Sequence, residues 1–459
     1  MVRVSSTVLA LSLVVGVLLD NIQDVDAAAT RSQRRTNVIV TMKQRTTTVV
    51  DSIGSQKFTS RGQRVKAFKD GLEGHARTSQ ADVLSLLDRA GKTTFSRTES
   101  YWLTNQMLVA GATQELVELL SMHPDVASVA PEQIFPLVHP VLETAAISIP
   151  PSSASTQWGV KKINAPAVWA TGNMGEGITI GIIDTGVRAT HVAIKGNWRS
   201  TYGWFDPEKK ALTPYDATGH GTHVTGIIAG NNGIGVAPNA QWIMCKGCRS
   251  TGCFSSDLLA CFQFMTCPTR PDGTGADCSR MPRVVSNSWG GGKGLTTFDE
   301  VINTWRKAGI IPVFAAGNTG PSCGSIQSPG DNANIITVGS TDSLDGVSRF
   351  SAKGPTTKGL LKPDITAPGS AIKSSCYTGD TDYCSKSGTS MATPHVAGAI
   401  ALYLKSKPSA TYDQVKQAFQ STSLVVKTAT GYTCGGTLDS TIPNNQFDYG
   451  RLDISKAVA

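Results

Sequence analysis

The sequence has few long apolar stretches, no block of like charge and no cysteine before Cys245. Beyond the N-terminal region no apolar run approaches the roughly 20 residues that span a bilayer, the best candidate being Val396–Leu404, so we expect no membrane partner. The formal net charge of +8 comes without a Lys/Arg block or a basic stretch interleaved with aromatic residues. We therefore expect no nucleic-acid partner. No Asn-x-Ser/Thr acceptor for N-glycosylation occurs either.

The size and composition of the chain predict a folded protein of more than one unit. Its 459 residues exceed the usual length of a single domain, so we expect two or three folded units plus processing segments. Apolar residues make up 40% and charged residues 17%, which differs from the composition of disordered chains. Most of the chain should therefore be globular.

The first residues predict a signal peptide over positions 1–28. Arg3 supplies a positive start, Val8–Leu19 a short apolar core, and Ala27–Ala29 small residues for cleavage. A membrane anchor is the alternative, but the apolar core is too short for one. The sequence therefore predicts a secreted, extracellular protein.

All ten cysteines lie at or beyond Cys245, and their even number in an exported chain indicates disulfides. Cys245 and Cys248 have the spacing of zinc ligands, so a zinc site is the alternative. No second such pair and no nearby histidine completes it. Cys376 and Cys384 could pair across a short loop.

Residues 36–136 predict a small α+β domain. Strand-like, helical, two extended, helical and strand-like segments follow one another, the typical order of a ferredoxin-like split βαβ fold. These segments are Thr36–Met42, residues 76–90, residues 94–108, Thr113–Ser121 and Val126–Val129. The stretch 137–155 is rich in Pro, Ala and Ser and is predicted to be an exposed processing linker.

The remaining stretch, 156–459, predicts a second domain of the α/β class. Short apolar runs such as Ile178–Ile183, Trp242–Met244, Val284–Ser286 and Ile311–Ala315 alternate with helical segments. This alternation favours a parallel sheet flanked by helices. Such sheets carry functional groups at the carboxyl ends of their strands.

Three polar residues stand at ends of predicted elements, each beside glycine. Asp184 ends a buried strand in IGIIDTGV, His220 precedes an apolar helix in GHGTHVTG, and Ser390 begins one in SGTSMATPHVAG. Taken singly, they could be a turn-capping aspartate, one member of a His220/His223 metal pair, and a helix-capping serine. Taken together, they fit nucleophilic catalysis, in which a carboxylate orients a histidine that accepts the serine proton.

These three motifs resemble the signature motifs of the subtilisin-like serine proteases. The resemblance covers residues 157–459, and ELVELLSMHPDVASVAPEQ resembles the inhibitor-type pro-domain of the family. It implies a serine endopeptidase with Asp184, His220 and Ser390 as catalytic residues. It also implies an autoinhibited precursor, with protein or peptide substrates and the pro-domain as partners of a monomeric enzyme.

The resemblance also implies further site residues. Asn318 in AAGN would donate its amide to the oxyanion, and Ala315, Ala316 and Gly317 precede it. Ser288, Trp289 and Gly290 would pair with an extended substrate, although Trp289 could instead be a packing residue. No acidic cluster accompanies these segments, which favours an apolar primary pocket.

No cofactor is expected for the chemistry. Because calcium often stabilises this family, Asp364 in KPDITAPG is a candidate ligand, with a capping aspartate as the alternative. Two other functions are open: a catalytically inactive protein that binds extended peptides, and a lipase or esterase. The intact catalytic positions disfavour the first, and the absence of a G-x-S-x-G motif around Ser390 disfavours the second.

Overall fold

The computed structural model describes residues 35–137, 140, 142–148, 155–426 and 431–459. The predicted signal peptide and parts of the predicted processing linker lie outside the described residues. Cα proximity divides the chain into two compact units, one of residues up to Arg45 and Gly74–Glu132, the other of Thr46–Glu73 and Gln133–Ala459. The second unit thus includes a segment within the predicted pro-domain range.

Helices occur in both units, and they alternate with strands along most of the second unit. The helices are α1 (Thr47–Gly54), α2 (Arg61–Ser79), α3 (Ala81–Ala90), α4 (Gln114–Met122), α5 (Trp158–Lys162), α6 (Ala165–Trp169), α7 (His220–Ala229), α8 (Ser255–Thr266), α9 (Asp299–Ala308), α10 (Thr389–Ser406), α11 (Tyr412–Ser421) and α12 (Ile454–Val458). Short 3₁₀ turns occupy Lys195–Asn197 and Cys278–Arg280.

The strands include several of only two residues. They are β1 (Thr36–Met42), β2 (Arg97–Tyr101), β3 (Gln106–Ala112), β4 (Val126–Pro131), β5 (Ile134–Phe135), β6 (Leu142–Glu143), β7 (Ile147–Ser148), β8 (Thr179–Asp184), β9 (Trp204–Phe205), β10 (Gln241–Lys246), β11 (Cys253–Phe254), β12 (Val284–Asn287), β13 (Ile311–Ala315), β14 (Ile336–Thr341), β15 (Ile365–Pro368), β16 (Ile372–Ser375), β17 (Asp382–Ser387), β18 (Thr433–Cys434) and β19 (Thr437–Leu438).

The first unit contains an antiparallel sheet of strand order β2-β3-β1-β4. Alternating apolar side chains of β1 and β3 pack against α3 and α4, with Val40, Val109, Leu87 and Leu116 in the shared core. Thr113 caps α4 by accepting a hydrogen bond from the Leu116 amide. The element order agrees with the predicted split βαβ arrangement.

The second unit is built on a seven-stranded parallel sheet of order β15-β14-β13-β12-β8-β10-β9. Its strands are buried along nearly their whole length, which explains their continuous Ile/Val-rich runs. Helix α7 is buried at every residue, and α10 from Thr389 to Leu404, so both belong to the core. The predicted α/β class is confirmed.

The sheet reverses its direction of growth at β8. The chain places β10 on one side of β8 and β12 on the other, which makes the carboxyl end of β8 a topological switch point. Binding crevices form at such points because the connections there diverge to opposite sides. Asp184, the last residue of β8, lies at this point.

Disulfide bonds join all the cysteines, and no described cysteine is free. The predicted pair Cys376–Cys384 is confirmed. The bonds are Cys245–Cys261, Cys248–Cys253, Cys267–Cys278, Cys323–Cys434 and Cys376–Cys384. Since Cys245 and Cys248 each have a disulfide partner, the zinc alternative is wrong. Among the described residues, no helix is both long and apolar enough to cross a membrane.

Candidate active site

The acid and the histidine meet at the switch point. His220 Nδ1 lies 2.7 Å from Asp184 Oδ1, and both side chains are buried. The backbone N–H of Thr185 also donates to Asp184 Oδ1, at 2.8 Å. On the opposite edge of the ring, His220 Nε2 is buried and has no hydrogen-bond partner among the described groups. A neutral imidazole held through its Nδ1–H therefore presents Nε2 as a base.

A network that the sequence did not reveal fixes the start of α7, where His220 lies. The Asp216 carboxylate accepts hydrogen bonds from Thr185 Oγ1 at 2.7 Å, the Gly219 amide at 2.8 Å and the Thr222 amide at 2.8 Å. Thr185 Oγ1 in turn accepts from the Gly221 amide at 3.0 Å. These bonds satisfy amides at the helix start and tie them to the end of β8. Asp216 is therefore a positioning residue for His220.

Ser390 is the second residue of α10 and is fully buried. Its hydroxyl donates to the backbone oxygen of Ser288 at 3.3 Å, and Ser288 Oγ donates to the backbone oxygen of Ser390 at 3.1 Å. The nucleophile candidate and the start of the predicted substrate-pairing segment are therefore neighbours. The first turn of a helix favours negative charge that develops there.

Asn318 lies next to the same helix start. Its Oδ1 accepts hydrogen bonds from the amide and the hydroxyl of Thr389, each at 2.9 Å. Its Nδ2 faces the backbone of Gly388, where an added Cβ would approach it to 3.0 Å. With Oδ1 held by Thr389, the orientation of the amide is set, and Nδ2 is directed toward the backbone beside Ser390.

The residues before Asn318 shape this turn. Ala315 ends β13, and the carbonyl of Ala316 accepts from the Gln327 amide at 3.0 Å. Gly317 has φ +107°, and a Cβ there would lie 2.4 Å from Gln327 Oε1. Only glycine fits this position without strain.

Trp289, which the resemblance implies as a substrate-pairing residue, has a fully buried side chain. The indole packs edge-on against Phe314 and Phe298, with centroids 5.4 and 5.6 Å away. The packing role that the sequence left open is therefore present. The backbone of Trp289 pairs antiparallel with Leu137, in a segment that precedes the predicted second domain.

Gly290 and Gly291 leave room for a strand on this edge. A Cβ on Gly290 would lie 2.7 Å from the Ser328 carbonyl, and one on Gly291 would lie 2.6 Å from Cδ of Pro136. Glycine is required here because another backbone passes close by.

His223, the alternative metal ligand beside His220, has a structural role. His223 is buried, its Nε2 contacts the Cys384 carbonyl at 3.1 Å, and burial together with the charge of Lys386 holds its pKa well below the usual value. Since His220 is held by Asp184, the alternative of a His220/His223 metal pair finds no support. In the described part of the chain no group of three or more His, Cys, Asp and Glu side chains is placed to bind a metal.

Asp364 does not fit the calcium ligand that the resemblance implies. Its oxygens contact Lys362 Nζ at 2.5 Å and Lys416 Nζ at 2.5 Å. Burial alone would raise the pKa of Asp364, but these two ammonium groups outweigh it and lower that pKa. A calcium ion beside this carboxylate would have to displace one of the two lysines.

A buried carboxylate that holds an imidazole, together with a serine and an oriented amide at one helix start, is the set of groups that a serine hydrolase uses. The sequence profile of the subtilase family matches residues 175–450, more than half of the chain. The chain belongs to the subtilase family of serine endopeptidases.

Similar proteins include several named proteases. Bacillopeptidase F of Bacillus subtilis (strain 168) is 34% identical over 424 residues, which are 86% of this chain and 29% of that protein. An alkaline protease of Alkalihalobacillus alcalophilus is 32% identical over 325 residues, 70% of this chain and 78% of that protein. Thermitase of Thermoactinomyces vulgaris is 34% identical over 279 residues, 60% of this chain and 90% of that protein. The chain thus spans less than a third of Bacillopeptidase F.

Proposed function

We propose that the chain is the precursor of a secreted serine endopeptidase whose own leader segment occupies the substrate site until it is cut. The observation that carries this proposal is the backbone pairing of residues 134–137 and 142–143. Strand β5 pairs with β11, Leu137 pairs with Trp289, and β6 pairs with β17. These described residues therefore pair with the strands and loops around Ser390 in extended form, the form in which peptide substrates add to a sheet edge.

The proposed reaction uses side chains and backbone groups of this chain. Ser390 Oγ attacks the scissile carbonyl, and His220 Nε2 accepts the serine proton and then gives it to the leaving amine. Asp184 holds the imidazole in the required tautomer and stabilises its cation. Asn318 Nδ2 and the Ser390 backbone N–H stabilise the oxyanion. Water then hydrolyses the acyl-enzyme through the same base.

Phe135 of the leader makes a buried side-chain contact within the second unit. This ring is buried, lies 5.2 Å from the centroid of Phe298 and 6.1 Å from that of Trp289, and covers an aromatic cluster. A buried phenylalanine contributes about 1.5 to 3 kcal/mol through apolar burial. Backbone pairing at β5 and Leu137 does not depend on side-chain identity, so the mature enzyme should accept many sequences before the cut.

The bond that releases the leader lies between Leu137 and Leu142. Leu137 pairs with Trp289, the neighbour of Ser288, whose backbone oxygen accepts from Ser390 Oγ. Leu142 pairs with Ser387, three residues before Ser390. The two paired residues thus lie beside neighbours of Ser390, and the proposed cut falls in the sequence between them. This interval falls within the linker predicted from the sequence.

Secretion is proposed from the disulfides and the N-terminal signal. Bonds that join every cysteine persist in an oxidising compartment and not in the cytosol. The charged, apolar and small-residue order of positions 1–28 supplies the export signal.

Expression of the full chain and of its Ser390→Ala variant tests this proposal. Mass spectrometry of the secreted wild-type protein should show a first cut between Leu137 and Leu142, whereas the variant should stay uncut. The Lys373→Gln variant serves as a matched control and should be processed, because Lys373 lies on β16, the strand next to β17. A cut at the same bond in Ser390→Ala would show that another protease makes it and would refute self-processing.

A further inference from the structure

A buried lysine lies beside the path of the leader, close to the nucleophile. The Lys386 side chain is 3% exposed, and its Nζ lies 2.8 Å from Glu143 Oε1, on a glutamate side chain that is 51% exposed. Among the described residues, Glu143 is the one carboxylate within ion-pair distance of Lys386. A buried ammonium without a counterion is costly, so this contact provides charge balance for Lys386.

The ion pair is part of a regular strand pairing. Glu143 lies opposite Lys386 and Leu142 opposite Ser387 in the antiparallel β6–β17 ladder. The Thr144 amide continues the ladder by donating to the Ser385 carbonyl at 2.9 Å. The backbone thus fixes which leader residue faces Lys386, and the contact does not depend on a chance meeting of two long side chains.

Lys386 lies on the leaving-group side of the site. The chain direction runs from Leu137, beside Trp289, to Leu142, beside Ser387. Residues after the scissile bond therefore follow β17. Any substrate that extends in this direction must replace Leu142 and Glu143 along the same strand.

His223, which lies near Lys386, cannot replace the carboxylate. His223 is completely buried, and burial and the Lys386 charge both keep its pKa low, so it is neutral. A neutral imidazole cannot balance an ammonium charge. Once the leader leaves β17, Lys386 loses its carboxylate partner.

We propose that Lys386 is a specificity-determining residue that selects an acidic side chain on the leaving-group side of the substrate, at the position opposite Lys386 in the β17 ladder. The inference rests on the proposed protease function and adds a substrate class to it. Glu143 of the leader is then the built-in example of the preferred side chain. Preference at this position arises because the correct substrate restores a buried ion pair, and a neutral one leaves Lys386 unpaired.

Matched peptides test this without altering the enzyme. An internally quenched peptide with the sequence of residues 133–148 is compared with its Glu143→Gln counterpart, using processed wild-type enzyme. A charge-assisted contact of a buried group with a half-exposed partner predicts a kcat/KM roughly tenfold higher for the glutamate peptide. Equal values for the two peptides would overturn the inference.

Enzyme variants identify the group responsible. Lys386→Gln should bring the ratio of the two kcat/KM values close to one, and Lys386→Glu should favour a peptide with lysine in place of Glu143. Lys373→Gln removes a positive charge from β16, the strand next to β17, and should leave the ratio of the two kcat/KM values as in the wild type. Loss of the ratio in Lys373→Gln would show a long-range charge effect and would contradict the contact.

The assay separates this inference from the proposed function. Cleavage of both peptides at equal rates leaves the protease proposal intact and refutes the role of Lys386. Failure to cleave either peptide, without labelling by a fluorophosphonate, refutes the protease proposal itself. If a Lys386 variant does not fold, the wild-type peptide comparison still decides the question.

Discussion

Asp184 Oδ1 and His220 Nδ1 are 2.7 Å apart, in a part of the molecule where neither side chain is accessible to water. The geometry requires the proton to reside on Nδ1 when the imidazole is neutral, since a carboxylate is an acceptor only. Asp184 is placed at the end of β8 and His220 at the start of α7, so secondary structure and not side-chain flexibility sets this distance.

Asp184→Asn should reduce kcat strongly while preserving the fold. Asparagine is nearly isosteric but can donate to Nδ1, which stabilises the tautomer with the proton on Nε2 and removes the base. We expect a loss of about 10⁴-fold in kcat on a small peptide substrate. A circular dichroism spectrum equal to that of the wild type is the control. A loss below tenfold would mean that the acid does not orient His220.

Asn318→Ala should lower kcat by about 10²- to 10³-fold with little change in KM, because the amide acts on the oxyanion formed in the transition state. Thr389→Ser is the matched control. It keeps both the amide and the hydroxyl that orient Asn318 Oδ1 and should retain nearly full activity. An effect of Asn318→Ala confined to KM would contradict the oxyanion role.

Asp448→Asn should change how stability depends on pH. Burial, followed by the charge of Asp364, raises the pKa of Asp448 to about 7. Between about pH 4 and pH 7 the folded chain therefore holds a proton that the unfolded chain has released, and the free energy of unfolding falls as pH rises. The cost of the ionised carboxylate reaches at most about 4 kcal/mol above pH 7.

The asparagine variant has no such proton and should be the more stable protein above pH 7. Asparagine tolerates the backbone of Asp448, at φ 55°, and its oxygen can accept from Gln420 Nε2, which lies 2.5 Å from Asp448 Oδ2. Denaturant titrations between pH 4 and pH 8, in the Ser390→Ala background to prevent autolysis, measure this difference. If the two proteins differ in free energy of unfolding by the same amount at every pH, Asp448 does not titrate in this range.

The disulfide Cys323–Cys434 should stabilise the chain more than Cys248–Cys253. The first closes a loop of 111 residues and the second a loop of 5, so the entropy removed from the unfolded chain differs. Loop-closure entropy predicts losses of about 5 and about 2 kcal/mol when each pair is replaced by alanine. Unfolding of Ser390→Ala proteins in guanidinium measures both. A larger loss of stability on removal of Cys248–Cys253 would show that local packing outweighs loop-closure entropy.

Features that depend on one short stretch of sequence could be predicted. Ile311–Ala315 forms a strand with the predicted bounds, because a buried parallel strand needs an uninterrupted apolar run. Asp184, His220 and Ser390 were predicted to stand at element ends, and they lie at the end of β8, at the start of α7 and in the first turn of α10. The short loop between Cys376 and Cys384 made their pairing possible, and the structure contains that bond.

Contacts between distant segments could not be predicted. Lys362 stands in KPDITAPG itself, but Lys416 lies 52 positions beyond Asp364, so the motif did not show that two lysines would balance that carboxylate. Lys386 meets Glu143 only after the chain has folded. For Asp216, the spacing to Gly219 and Thr222 was a usable signal of a helix cap before His220, and it was missed.

The most direct test of the account is covalent labelling of Ser390. Diisopropyl fluorophosphate reacts with a serine that a neighbouring base activates. Peptide mapping of the labelled, processed enzyme should find one adduct, on Ser390, and the His220→Ala protein should show none. An adduct that forms equally fast without His220, or that maps to another serine, would contradict the claim that His220 activates Ser390.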